Sequence, residues 1–276
     1  MSKIISGFLM PHDPLIAAMP DAPPAEKRDS CMNAYKEIVE KVKEQDIDTV
    51  IIIGDDHYTV NGPYCVPQAM IGIGDVEGPK EEWLGIKCEK IPNNTSLAKH
   101  ILDYGHTHQV DWAASKILTV DHSIAIPVEY AVKPVKGLRI IPIYINSGVE
   151  PFINSQRAYE IGLSIKAAVE TWTGNERIAV YGTGGISHWP GMAKMGHVNE
   201  AWDRNIINLI TQGKVEDLIA MKDEDVLRDG GNGGLEIKNF ICAMGILDGW
   251  KGEEIAYEAV PEWVCGCGYL EMKTKA

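Results

Sequence analysis

The stretch DTVIIIG at residues 48–54 is a run of β-branched, apolar residues closed by a glycine. A strand with one wet face alternates polar and apolar positions, whereas an unbroken apolar run is the pattern of a strand covered on both faces, as in a parallel sheet. Upstream, residues 3–9 (KIISGFL) read as an earlier strand that stops at Pro11. The charged stretch from Glu26 then begins a helix with Tyr35, Ile38, Val39 and Val42 on one face, at spacing i, i+3, i+4, i+7. Strand, helix, strand is a βαβ unit. Downstream the alternation resumes with LRIIPIYI at 138–145, a helix over about 154–172, and RIAVYG at 177–182 before a glycine-rich turn. Helical patterns follow at about 198–212 and 236–247, then a terminal region around YEAV and CGCGYLEM with strand character. The sequence therefore predicts an α/β fold: a single domain over residues 1–276 with a mostly parallel or mixed central sheet covered by helices on both faces.

Composition narrows the function classes. With 276 residues, 45% hydrophobic and 24% charged, the chain has apolar material for a core on each side of a sheet, and disorder is excluded. A formal net charge of -13 argues against a nucleic-acid partner, because phosphate binding draws on clustered Lys and Arg. The N-terminal MSKIISGFLMPHDP carries no small-residue cleavage site and no long apolar run follows it, so a cytoplasmic protein without a membrane partner is expected. Six scattered cysteines do not suggest a disulfide framework. Cys265-Gly-Cys267 has no second Cys/His pair at zinc-finger spacing, and reads as part of a tail strand.

In open α/β sheets, ligands sit beyond the carboxyl ends of the strands, and three of the eight histidines fall there. His12 follows the first strand, His57 follows TVIIIGDD, and His188 follows AVYGTGGIS. Two imidazoles and one carboxylate on one face of a divalent metal leave positions open for substrate and oxygen at non-haem iron(II). The run DGGNGGLEIKN at 229–239 offers Glu236 as that carboxylate, delivered by a glycine loop into the start of a helix. A helix-capping role for Glu236 and ligation by Asp55 or Asp56 are the competing readings. His12, His57 and Glu236 lie 45 and 179 residues apart, so no local metal motif decides between them.

The segments PHDP at His12, GDDHY at His57, VDHSIAIP at His122, GTGGISHWPG at His188 and GNGGLEIKNF at Glu236 occur together and in order. In this the chain resembles class III extradiol ring-cleavage dioxygenases, the family of the protocatechuate 4,5-dioxygenase β-subunit, from His12 to about residue 249. The resemblance implies iron(II) held by His12, His57 and Glu236, an acid/base histidine at His188 and a pocket histidine at His122. It implies a catechol-like substrate and O2, with self-association or a small accessory subunit. It also argues against Asp55 and Asp56 as ligands; one of them is expected to orient His57 instead. Gly184 and Gly185 would let backbone approach a ligand, Trp189 would wall a flat ring, and Asp13 has no assigned role. Two other readings suit the same residues: a Memo-like metal-binding or signalling protein, and a zinc-dependent hydrolase.

Overall fold

The apolar run becomes a strand, Thr49–Gly54, with every residue buried, in the computed structural model, which describes residues 3–274. Among the described residues it is β2 of nine: β1 (Lys3–Met10), β3 (Ala69–Gly78), β4 (Glu89–Ile91), β5 (Ala113–Thr119), β6 (Arg139–Ile145), β7 (Arg177–Thr183), β8 (Lys251–Val260) and β9 (Cys265–Lys273) complete the set. All join one mixed sheet in the order β4-β3-β6-β2-β7-β1-β9-β8, with β5 beside β3. The central four, β6, β2, β7 and β1, run parallel; β3 enters antiparallel to β6, and β9 antiparallel to β1.

Alternation along β2 divides two apolar cores. Ile51 and Ile53 pack on the side of α5 (Ser155–Thr171) and α9 (Ile237–Ile246), while Val50 and Ile52 pack on the side of α2 (Ala25–Glu44). Each such side chain contributes roughly 1.5–3 kcal/mol by leaving water, and the one polar side chain of the strand, Thr49 at its start, accepts a hydrogen bond from Asn94 at 3.1 Å. Helices α5 and α9 approach closely because glycines face each other: a Cβ on Gly162 would lie 2.1 Å from the Cys242 carbonyl oxygen.

The remaining helices are α1 (Leu15–Ala18), α3 (Thr95–Thr107), α4 (His122–Pro127), α6 (Glu200–Gln212), α7 (Val215–Ile219) and α8 (Asp223–Asp229). Among the described residues, no helix is long and apolar enough to cross a membrane. The strands and helices expected from pattern form at their expected places. The block from β3 to β5, with α3 between, was not anticipated. Its β5 lies off the main path with Ile117 79% exposed, so its pattern lacks the alternation that marks a half-buried strand.

One buried acid on the α6 side gives the fold a pH dependence. Asp203 is buried and accepts a hydrogen bond from Tyr257 at 2.6 Å. Burial pushes its carboxyl up to about 6. The folded state therefore binds this proton more tightly than the unfolded chain. The resulting stabilisation is complete below the ordinary carboxyl pKa and is lost as pH rises through about 6. Asp203→Asn keeps a neutral acceptor for Tyr257 and should raise stability at pH 7.5 by on the order of 2 kcal/mol, with little change at pH 4. Urea titrations of both proteins at the two pH values test this; equal pH slopes would remove Asp203 as the cause.

Candidate metal centre and active site

Strand register sets the site. Met10 pairs with Thr183 and Ile53 with Gly182, so β1, β2 and β7 end level and their following loops open on the same edge. His12, two residues past β1, is buried, and Tyr35 of α2 holds its loop by donating to the Pro11 carbonyl at 2.7 Å. His12 Nδ1 lies 3.0 Å from Thr183 Oγ1. The Thr183 hydroxyl is itself within donating distance of the carbonyls of Ile53 (2.9 Å) and Ser123 (3.0 Å). With its single proton given to a carbonyl, Thr183 accepts from His12 Nδ1–H, which leaves Nε2 of His12 with a free lone pair.

His57 follows β2 in a turn that Asp56 stabilises, accepting from the backbone N–H groups of Thr59, Val60 and Asn61 at 2.8–2.9 Å. The expectation that Asp55 or Asp56 orients the His57 ring is corrected here. Asp56 is occupied with the turn, and the acceptor of His57 Nδ1 is Asp121 Oδ2 at 3.1 Å. Asp121 caps α4, and its other oxygen accepts from Ser123 and Tyr144. It stands one residue before His122, a signal the sequence held without saying which histidine it served. Asp55 Oδ1 instead accepts from Asn239 Nδ2 at 2.8 Å; the same nitrogen bonds the Thr183 carbonyl at 2.8 Å. Asn239, three residues after Glu236 and one helical turn on, thereby ties α9 to the ends of β2 and β7.

Glu236 ends a 3₁₀ turn, Gly233–Glu236, that leads into α9. Its Oε2 accepts from Gly185 N–H at 2.7 Å and lies 3.2 Å from His12 Nε2. Its Oε1 lies 3.3 Å from His57 Nε2 and 3.2 Å from His188 Nε2. The glycines around it are required by space. A Cβ on Gly184 would sit 2.8 Å from Glu236 Cβ, and one on Gly233 would sit 2.1 Å from His188 Nε2.

Electrostatically this is a cation trap. Burial disfavours charge on His57, but Asp55, Asp121 and Glu236 outweigh it and raise its pKa well above the ordinary value. Burial likewise opposes ionisation of Glu236, yet His188 and His12 hold its carboxyl well below the usual range. Burial lowers and Glu236 and Asp13 raise the pKa of His188, with a net rise. His12, Asp55, His57 and Glu236 each present a ligand atom within 4.8 Å of the others. His12 Nε2 and Asp55 Oδ2 are buried without a hydrogen-bond partner. Lone pairs aimed at a shared carboxylate suit a divalent cation bound between them, so the residues fit a metal.

His122 also comes to this place. Its ring centroid lies 4.2 Å from that of His57, and its Nδ1 is 2.5 Å from Glu81 Oε1. Its nitrogen is close enough to make a His12, His57, His122 set, which leaves a second possible ligand arrangement beside the one with Glu236. The aromatic wall expected from Trp189 is corrected: Trp189 is buried against His197 and Lys194, outside the cavity. The tryptophan that lines the cavity is Trp83, in the unanticipated block, together with Pro190 and Met195. Asp13, unassigned from sequence, also lines it and accepts from the Leu15 N–H at 2.7 Å, in the turn that leads into α1. Cys265 lines the cavity too, while Cys267 is buried in β9 beyond it, so the pair serves the tail strand as expected.

Asp121→Asn should keep the fold but weaken metal affinity about 10–100-fold, the usual cost of removing a carboxylate behind a ligating histidine. Metal titration of purified variants measures it; unchanged affinity would leave Asp121 with helix capping alone.

Comparison with known proteins agrees with the geometry. A 2,3-dihydroxyphenylpropionate/2,3-dihydroxicinnamic acid 1,2-dioxygenase of Escherichia coli (strain K12) is 22% identical over 316 aligned residues, covering 96% of this chain and 97% of the relative. The protein of the same description from Escherichia coli O157:H7 matches equally. In fold, the chain is similar to the crystal structure of uncharacterized protein JW3007 from Escherichia coli K12, with a TM-score of 0.62 at 9% identity, covering 98% of this chain and 100% of that one. The model of the catalytic LigB subunit of aromatic ring-opening dioxygenase matches residues 6–268, a span that takes in all five histidine and glutamate segments. The chain thus belongs to this family, the class III extradiol ring-cleavage dioxygenases.

Proposed function

We propose that the chain binds iron(II) through His12, His57 and Glu236 and opens the ring of an ortho-dihydroxylated or aminohydroxylated aromatic with O2. The observation that carries this reading is the convergence of three metal-type donors, from the ends of β1 and β2 and the start of α9, on one wall of a cavity of about 260 Å³. The cavity is otherwise mostly apolar. A hydrolase would need water and a polar cleft there, whereas a flat ring needs an apolar chamber; ring cleavage is therefore favoured over zinc hydrolysis or a signalling role.

Iron(II) supplies the one-electron chemistry that joins O2 to an electron-rich ring, which no side chain can perform. The protein supplies position and protons. Thr183 and Asp121 hold the two ligating imidazoles in the tautomer that points Nε2 inward. Asp55, held by Asn239, adds negative charge without being needed as a ligand. His188 stands beside Glu236 with Nε2 facing the ligand set, and that nitrogen takes the proton of an entering hydroxyl and returns it as the ring opens. His122, its Nδ1 held by Glu81 and its ring beside that of His57, hydrogen-bonds the substrate.

Oxygen uptake by anaerobically iron-loaded protein against catechols and aminophenols, with the ring-opened product followed by its absorbance, tests the proposal. Zinc-loaded protein is the control. No oxygen uptake with any member of the panel, or activity with zinc, would reject it.

A further inference from the structure

The cavity beside the metal set is lined by four histidines, Asp13, Glu236 and mostly apolar side chains. Among the described residues that line it, no lysine or arginine occurs. Its apolar walls include Pro14, Leu15, Trp83, Pro190, Met195 and Val264. Its histidines are engaged, with His188 against Glu236 and His122 against Glu81. Lysine 194, next to the lining Met195, has its ammonium 5.6 Å from the Trp189 ring centroid, and Lys194 itself does not line the cavity. Carboxyl groups surround it: Glu236 and Asp13 line the chamber, burial pushing Asp13 up to about 7, while buried Asp55 lies 3.6 Å from His57 Nε2 and buried Asp121 stands behind the ring at Nδ1.

We propose that the substrate is an uncharged ortho-dihydroxylated or aminohydroxylated aromatic bearing an apolar substituent, and that the site selects against ring substituents ending in a carboxylate. The inference rests on the ring-opening reading above and adds its substrate class. A carboxylate entering this chamber would lose its water, gain no lysine or arginine partner and face the Glu236 carboxylate. Size agrees with a substituted ring: roughly 150 Å³ accommodates a benzene-sized ligand, and the chamber offers about 260 Å³. Trp83 and Met195, which line the chamber and are 57% and 58% exposed, offer apolar contact to the substituent.

Matched acid and ester pairs isolate the charge, because ring, hydroxyls and approximate size are kept. The pairs are 3,4-dihydroxybenzoate with its methyl ester, and 3-(2,3-dihydroxyphenyl)propionate with its methyl ester. Anaerobic binding to the iron-loaded protein, by calorimetry, and kcat/KM by oxygen uptake are measured for each. Each ester should bind on the order of 10²-fold more tightly than its acid, with the same ordering in kcat/KM. Met195→Arg changes an exposed side chain and so leaves the core intact; it should narrow the ratio to about tenfold or less by giving the acid a partner. Equal binding of acid and ester in the unaltered protein overturns the inference alone. So does a preference for the acid that disappears in Lys194→Ala, because recognition would then lie at the mouth. Failure of the iron-loaded protein to bind either member of both pairs overturns the ring-opening reading, and this inference with it.

Discussion

Glu236→Ala is expected to abolish both metal retention and ring opening. The carboxylate spans the two imidazoles, 3.2 Å from His12 Nε2 and 3.3 Å from His57 Nε2, and also accepts the Gly185 N–H. Its removal takes one of three proposed protein ligands and leaves a site held largely by water. The loss in metal affinity should be at least about 10³-fold, larger than the roughly 10–100-fold cost of losing a group that only supports a ligand. Asp55→Asn is the informative comparison, because Asp55 also reaches both histidines, at 3.8 Å and 3.6 Å. It should keep its metal, since the amide still meets Asn239. His122→Ala should keep metal as well and bind substrate less well. Metal analysis after dialysis compares all three. Full occupancy in Glu236→Ala with an empty Asp55→Asn or His122→Ala would transfer the ligand role to that residue.

His188→Asn should separate metal binding from proton transfer. The packing dictates a small replacement: the ring of His188 lies where Gly233 has no room for a methyl group, so a bulkier aromatic would be crowded. Asparagine fills less space and still offers a hydrogen-bonding group to Glu236, but it cannot accept and return a proton near neutral pH. Iron content and anaerobic substrate binding should be preserved, while kcat falls about 10²-fold or more, the usual scale for a positioned acid/base group. Metal analysis, anaerobic titration and oxygen uptake on one preparation read the three quantities. Loss of iron would make His188 a ligand; undiminished turnover would remove it from the proton path.

Much of this protein is legible along the chain because its signals are local. The two-sided burial of β2 is written in DTVIIIG, the buried face of α2 in Tyr35, Ile38, Val39 and Val42, and the strand-end positions of His12, His57 and His188 in the runs before them. The edge block from β3 to β5 was illegible because exposed Ile117 and repeated glycines erase the two-residue period. Trp83 was lost with it.

By itself, the sequence determined the α/β class, the acidic net charge of -13 and the set of residues able to make a metal site. Tertiary structure decided how those residues are paired. Asp121, rather than the adjacent Asp55 or Asp56, receives the His57 proton; Thr183 sets the tautomer of His12; Asn239 restrains Asp55; and Trp189 turns away from the chamber. Hydrogen bonds between residues 64 to 184 positions apart follow from strand register and loop direction. A chain read in order cannot show which side chains register brings face to face, because that depends on where every strand ends relative to its neighbours.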